Sequence, residues 1–539
     1  MKRTKIIALI IMLLAILGAA AFYSKHNTGG SVKSSNSGSG EEIVTTADAH
    51  KVLIDRPKGY MLSFPDNMNI DTSVSPEQIK AYNDTMTVIV TREWAPYEDP
   101  WYLIDNYLND YYLNDYYIKS NDITIHNDDV YEHNGAKAQF IALTRSPKEQ
   151  HVERQNSYAY FFVRSKTAKQ AFFRVMFKTS DYQNDKAVID EIKNSFEEIN
   201  VEGQNQFKCD FAPVPSETWN SETKKLYNKI RNSKSIEWGL FVDGAYTIDR
   251  NYQWFKELEQ KVDYDFDFAL HYVNLDWEFP VKELTRFYND GKITELTLQT
   301  SNFNNDDLYG DNINFDIYDG LLDDQIREFA RGAKEFGHPF LFRLNNEVNS
   351  NWVNYSGVAT LSDPEVFIDN WRRIYDIFQE EGVDNAIWIF NPNAEECPPT
   401  HWNSYISYYP GDAYTHMIGL TGYNTGTYYH DSFKEKWRTF DDIYKEPYDK
   451  YMQVFSKFPF IITEFASSSV GGDKPAWITD MFKQIKKYPN IKMALWWSSA
   501  DYDMSVANYK KVARPYFLDE NDDTTAAFRE GIKEYKKNK

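Results

Sequence analysis

Between Glu237 and Trp497 the chain repeats one pattern eight times, a short apolar run followed by a stretch of helical periodicity. The runs are Trp238–Val242, Phe266–Val273, Ile293–Gln299, Phe340–Leu344, Ala386–Phe390, Met417–Leu420, Phe460–Thr463 and Met493–Trp497. Strands apolar on both faces and separated by helices form parallel sheets covered by those helices. Eight such units in about 300 residues match a closed (β/α)8 TIM barrel in size and order. The helices carry their own signals. Ser362-Asp363-Pro364-Glu365 opens one whose Phe367, Trp371, Ile374 and Phe378 share a face, and Leu322, Ile326, Phe329 and Ala333 mark another that stops at Gly337-His338-Pro339. A helical pattern from Thr524 to Lys537 closes the unit.

The chain before the barrel reads differently. Met1-Lys2-Arg3-Thr4-Lys5 precedes an uncharged apolar run from Ile6 to Tyr23, long enough to span a bilayer or to serve as a cleaved signal with Ala19-Ala20-Ala21 near its end. Ser24 to Glu42 is Ser/Gly-rich, a tether with an r.m.s. span of about 24 Å. Strand patterns then appear at Tyr60–Phe64, Met86–Thr91, Ala138–Thr144, Ala159–Arg164 and Ala171–Lys178. A tyrosine-rich helix is expected over Asp105–Tyr117, and a second helix carries Val188, Ile192 and Phe196 on one face. The expected fold class is α/β, a (β/α)8 TIM barrel catalytic domain preceded by a smaller α+β domain and an N-terminal transmembrane anchor or signal segment. The expected boundaries are 1–45 for the basic stub, apolar segment and linker, 46–202 for the α+β accessory domain, and 203–539 for the barrel. The folded parts are expected outside the cytoplasm, on the extracellular face of the cell membrane or secreted.

In a barrel of this kind the reacting groups stand at the C-terminal ends of the strands, because the βα loops there build the pocket. Strand four runs into Asn345-Asn346-Glu347 and strand seven ends in Glu464. Strands four and seven face each other across the mouth, so the two carboxyls are expected to converge. That arrangement suits retaining glycoside hydrolysis, with one carboxyl as nucleophile and the other as general acid/base. A single glutamate after an apolar strand is otherwise a solvated rim group or an arginine partner. Arg343, four residues before Glu347, is open to either role: a structural ion-pair partner, or an aid to ionisation. Trp496-Trp497 ends strand eight, and alternation sends one indole into the mouth as a sugar-stacking platform and the other into the wall. His271 ends strand two and reads as a sugar hydrogen-bonding group or a satisfied structural histidine. The Asp- and Asn-rich stretch from Asn302 to Asp324 reads as a long loop beside the cleft, without the residue order of a calcium loop.

Several stretches together resemble glycoside hydrolase family 26, the retaining β-mannanase-like members of the large (β/α)8 clan. They are Phe342-Arg343-Leu344-Asn345-Asn346-Glu347-Val348-Asn349-Ser350-Asn351-Trp352, Trp388-Ile389-Phe390-Asn391-Pro392-Asn393, and Tyr409-Pro410-Gly411-Asp412 leading into Ile418-Gly419-Leu420-Thr421-Gly422-Tyr423-Asn424. The resemblance implies Glu347 as proton donor and general acid/base and Glu464 as nucleophile. It also implies Tyr423 bonded to the nucleophile, Arg343 supporting the site, and Trp352 with a strand-eight tryptophan, Trp496 or Trp497, contacting sugar. The family usually has His immediately before its acid/base and Gly where Ser350 stands, whereas this chain has Asn346. Asn346 would neighbour the bound sugar, so the departure bears on which polymer is cut.

Composition bounds the partners. Lys plus Arg (59) against Asp plus Glu (80) gives a net charge of −21, which opposes a nucleic-acid partner and suits a neutral polysaccharide. Two cysteines, Cys209 and Cys397, are too few for a thiolate zinc site or an iron–sulfur cluster, and their pairing is open. No metal or organic cofactor is expected. A membrane partner is expected only through the N-terminal segment if it stays uncleaved. The expectation is a retaining endo-β-glycosidase cutting β-mannan or a related β-glycan with two glutamates. The alternative is a catalytically degenerate barrel that binds cell-surface glycan or serves as an envelope scaffold.

Overall fold

The computed structural model describes residues 40–46, 50–95, 99–105, 113–205, 208–301, 310–503, 505–506 and 511–537. The apolar run Ile6–Tyr23, nearly all of the Ser/Gly tether, the middle of the tyrosine-rich stretch and residues 302–309 of the Asn/Asp-rich loop lie outside these. Among the described residues no helix is long and apolar enough to cross a membrane.

The eight expected strands form a closed parallel barrel: β1 Glu237–Val242, β2 Phe268–Asn274, β3 Ile293–Gln299, β4 Phe340–Leu344, β5 Ala386–Phe390, β6 Met417–Thr421, β7 Phe460–Phe465 and β8 Ile491–Ser498. Closure is made where β8 pairs with β1, with Trp238 opposite Ala494 and Leu240 opposite Trp496. Alternation sorts each strand's side chains into two cores. Phe241, Leu270, Leu341, Ile389, Ile461 and Leu495 fill the interior. Their strand neighbours Leu240, Phe342, Trp388, Ile462 and Trp496 face the surrounding helices. Trp371 and Trp388 are fully buried in that outer layer, and each such ring contributes about 2–3 kcal/mol when removed from water. The helix at Pro364–Glu381 starts where the sequence signals it, with the Asp363 side chain accepting from the Glu365 N–H, and the helix at Asp323–Phe336 ends on Gly337 at φ 70°. The N-terminal end of the barrel is closed by the helix Ser221–Asn232. Its Tyr227 and Ile230, with the preceding Trp219, join the interior cluster, and the Trp219 indole donates to the Ala386 carbonyl at 3.0 Å.

The second compact unit comprises the described residues up to Pro100 with Thr124–Arg145 and Gln155–Lys208. It holds a four-stranded sheet, in the order Glu41–Thr45, His50–Asp55, Tyr60–Pro65, Glu197–Glu198, and a seven-stranded sheet. At the centre of the larger sheet Val175 faces Val90 on one side and Phe161 on the other, both in antiparallel register. The helix Tyr182–Asn194 lays Ile189 and Ile192 onto this sheet's apolar face, against a core that includes Val88, Phe140, Phe161 and Phe173.

The compact units do not follow chain order: the described residues of 101–123, and Ser146–Arg154, cluster with the barrel unit. The Tyr117 hydroxyl donates to the Ala359 carbonyl at 2.7 Å, and the Asn121 amide donates to the Gly310 carbonyl at 2.8 Å. Arg154 donates to the Tyr318 carbonyl at 2.9 Å and lies over the Tyr318 ring. These bonds tie both excursions to the loops around β3 and β4, so the chain enters the barrel unit twice before the barrel strands begin. The single helix expected over Asp105–Tyr117 is described only at its flanks, as the short helices Trp101–Ile104 and Asp115–Ser120.

Candidate active site

Beyond Leu344 the β4 backbone turns sharply, with Asn345 at φ 61° and Glu347 at φ 54°. Left-handed backbone at two residues other than glycine costs about 1–3 kcal/mol each and persists only where the surroundings enforce it. Here the enforcement is visible. The Asn345 amide N–H donates to the Leu298 carbonyl at 2.8 Å, while its side-chain oxygen accepts from the Thr300 N–H at 2.8 Å. The Glu347 N–H donates to the Asn391 carbonyl at 2.9 Å. The turn holds the Glu347 carboxyl close enough to Glu464 for the two charges to repel.

Glu464 reaches the mouth from β7 by a different device. Ile461 and Thr463 face inward and Ile462 and Phe465 outward, so strict alternation would send Glu464 into the wall. The register on both neighbouring strands shifts at this point, between Leu420 and Thr421 on one side and between Ile462 and Phe465 on the other. Such irregularities re-aim side chains, and Glu464 turns inward beside Thr463.

Three groups meet the Glu464 carboxylate. Arg343 Nη1 lies 2.7 Å from its Oε1, the Tyr423 hydroxyl donates to its Oε2 at 2.7 Å, and the Tyr272 hydroxyl lies against both Glu464 and Arg343. Arg343 is fully buried and held in turn: Nε donates to Thr297 Oγ1 at 2.6 Å and Nη1 to Asn391 Oδ1 at 2.9 Å. Asn391, at the end of β5, also accepts from Thr463 Oγ1 at 3.0 Å and donates to Thr421 Oγ1 at 3.1 Å, linking four strands. Gly419 makes room for it, since a Cβ there would stand 2.7 Å from the Asn391 Cβ.

Glu347 sits in a poorer environment. The Trp352 indole donates to its Oε2 at 3.1 Å, and among the described residues no arginine forms an ion pair with it. Burial first, and then the Glu464 charge, push its carboxyl up to about 7, and Asp501 on the strand after β8 adds to the effect. One carboxyl is thus poised to hold a proton beside another that is ringed by donors. The neighbouring Asn346 is fixed through its side-chain oxygen, which accepts from Gln299 Nε2 at 3.0 Å and from the Tyr355 hydroxyl at 2.9 Å.

The structure brings together Arg343, Asn346, Glu347, Trp352, Tyr423, Glu464 and Trp497. Trp497 lies flat on Phe241 at 5.4 Å and meets Tyr423 edge-on at 6.0 Å, at the interior face of the mouth. Two of the candidate residues stand elsewhere. Trp496 is fully buried in the wall among Phe465, Trp477 and Phe528, its indole donating to the Tyr516 carbonyl at 3.0 Å. His271 lies between the inward-facing Leu270 and Tyr272, so it points outward, where it stacks on Tyr246 at 4.5 Å. Burial there holds its imidazole down at about 4, so it is neutral. It is a structural histidine. The polar residue that β2 contributes to the site is Tyr272, one position on, and alternation was the signal that could have found it. Asn391, Gln299 and Tyr355 were also missed as site residues, although Asn391 stands in one of the resembling stretches. Cys209 and Cys397 are both free thiols. Among the described residues no cluster of His, Cys, Asp or Glu could hold a metal ion.

Comparison with known proteins finds a family model and several relatives that match part of the chain. The model of glycosyl hydrolase family 26 matches residues 221–445, a span that contains Arg343, Glu347 and Tyr423 but stops before Glu464. Endoglucanase H of Acetivibrio thermocellus is 28% identical over 284 residues, covering 52% of this chain and 28% of that protein. Mannan endo-1,4-beta-mannosidase A and B of Caldalkalibacillus mannanilyticus is 22% identical over 249 residues, covering 40% of this chain and 47% of that protein. The chain thus spans less than half the length of these relatives. Among solved structures, Bacillus subtilis mannanase man26 aligns at 18% identity with a TM-score of 0.38, covering 54% of this chain and 89% of that one. Over residues 221–445, the chain is similar to glycosyl hydrolase family 26.

Proposed function

We propose that this protein is a retaining endo-β-glycosidase that cuts a polysaccharide backbone, β-mannan or a related β-glycan, by double displacement. The observation that carries the reading is the pairing of two carboxyls in one site under opposite conditions. Glu347 is pushed up to about 7 by burial and by its neighbour, while Glu464 is met by Arg343 and Tyr423. A carboxyl raised in this way, beside a second one held by donors, fits the acid and the nucleophile roles of glycoside hydrolysis.

In the first step a Glu464 oxygen attacks the anomeric carbon, the glycosidic C–O bond breaks, and Glu347 gives its proton to the leaving oxygen. In the second step Glu347 takes a proton from water as the water oxygen attacks the same carbon, and the glycosyl ester to Glu464 breaks. Two inversions leave the anomeric configuration retained. Tyr423 and Arg343 hold the nucleophile, Trp352 orients the acid/base, and Asn346 and Trp497 face the sugar. The basic stub and the apolar run Ile6–Tyr23 support action outside the cytoplasm, tethered to the membrane or secreted.

The names of the two relatives, an endoglucanase and a mannan endo-1,4-β-mannosidase, define the test panel: β-mannan, mixed-linkage glucan and cellulose, extended to β-1,3-xylan and bacterial exopolysaccharide. The full chain is expected to release reducing ends from at least one of these, and Glu464→Ala is not. Tight binding without release from any polymer would overturn the reading in favour of a glycan-binding barrel.

A further inference from the structure

A third carboxyl lies beneath the site, and the two-glutamate chemistry does not use it. Glu295 stands in the middle of β3, in register with Leu270 on β2 and Leu341 on β4, both interior residues of the barrel. It is fully buried, and neither of its oxygens has a hydrogen-bond partner. Its Oε1 lies 3.3 Å from Arg343 Nε, but that N–H is already given to Thr297 Oγ1 at 2.6 Å. The other end of the same guanidinium lies 2.7 Å from Glu464. One cation therefore stands between two buried carboxyls, and only one of them is furnished with donors.

A buried carboxylate without donors is costly, and a group in that position takes up a proton instead. The charged and titratable groups that face Glu295 are Arg343 from β4, Glu464 from β7, and Tyr246 from the loop after β1. Burial dominates and pushes the Glu295 carboxyl up to about 8; Arg343 offsets part of this, and Glu464 adds to it.

We propose that Glu295 is a positioning residue, a neutral carboxylic acid that supports the Arg343 guanidinium from below and leaves its whole charge to Glu464. A leucine there, like its two register neighbours, would leave no polar group against this side of the Arg343 guanidinium. An ionised glutamate would compete with Glu464 for Arg343, the arginine paired to it. The proposal rests on the reading of Glu464 as nucleophile for its kinetic consequence, but the protonation state can be read without any turnover.

Infrared difference spectra of the full chain, wild type against Glu295→Gln at pH 6, are expected to show the carbonyl stretch of a protonated carboxylic acid that is lost in the variant. That band is expected to disappear as the pH is raised through about 8. On whichever polymer the wild type cuts, Glu295→Gln is expected to keep kcat/KM within about twofold and to leave the acidic limb of the pH profile in place. Glu295→Leu is expected to lose about fivefold to tenfold in kcat with little change in KM. Three results would overturn the proposal. One is the absence of the protonated band at pH 6. Another is a shift of the acidic limb by on the order of one unit or more in Glu295→Gln, as removal of a nearby negative charge would cause. The third is wild-type turnover by a folded Glu295→Leu. If Glu295→Leu does not fold, the band and the limb decide. If no polymer is cut, the band alone decides, and the failure belongs to the nucleophile assignment.

Discussion

In the proposed mechanism Glu347 has to carry a proton when the glycosidic bond breaks, and its surroundings put that proton within reach of neutral pH. Its carboxyl is raised to about 7, so the donating form is complete in acid and lost as the pH rises through that value. The alkaline limb of kcat/KM is therefore expected to fall near pH 7. A limb nearer pH 4 to 5, the ordinary carboxylate range, would mean that burial does not shift the group. The two glutamates of the candidate site were legible because each terminates an apolar strand. Other site residues were not, for reasons of geometry. Choosing His271 over Tyr272 favoured the more familiar polar group and ignored the parity that turns residue 271 outward. Glu295 was invisible because a charged residue among Ile293, Thr294, Leu296 and Thr297 reads as one polar position in a strand. Only the closed barrel shows that its side chain points into a dry interior.

At the scale of elements, the turn after β4 is strained at two residues, and the site depends on it. Asn345 pairs a left-handed backbone with a side chain that accepts from the Thr300 N–H and donates to Thr300 Oγ1. Asn345→Ala removes those bonds and strains the backbone further. It is expected to cost about 2 kcal/mol in urea unfolding and to lower kcat, because the turn aims Glu347. Asn345→Gly, which relieves the backbone but loses the bonds, is expected to fall between. A wild-type unfolding midpoint and turnover for Asn345→Ala would show that the turn is held by other means. The barrel strands themselves were read from sequence to within a few residues because each is a bounded apolar run buried on both faces. The strand Ile123–His133 escaped for the opposite reason: nearly all of it is exposed or half-exposed, so it presents no apolar pattern.

At the scale of the whole molecule, chain order and spatial order part company. The expected boundaries placed residues 46–202 in one accessory domain, since composition records which segments fold but not which core they join. Two of those segments complete the barrel unit through Tyr117, Asn121 and Arg154. A fragment spanning 204–539 is therefore expected to unfold several degrees below the full chain, and Tyr117→Phe in the full chain to cost about 1 kcal/mol. Equal midpoints for fragment and full chain would show that the barrel needs neither excursion. The proposed assignment of two glutamates to two roles also belongs to this scale, because it fixes the stereochemistry of what is released. The most direct measurement adds azide to each alanine variant, with an activated aryl glycoside as substrate, and determines the anomer formed. Glu347→Ala is expected to give the β-glycosyl azide, from attack on the glycosyl ester of Glu464. Glu464→Ala is expected to give the α-glycosyl azide, from azide in the vacated nucleophile space. The opposite anomers, or near wild-type cutting of polymer by either variant, would contradict the mechanism.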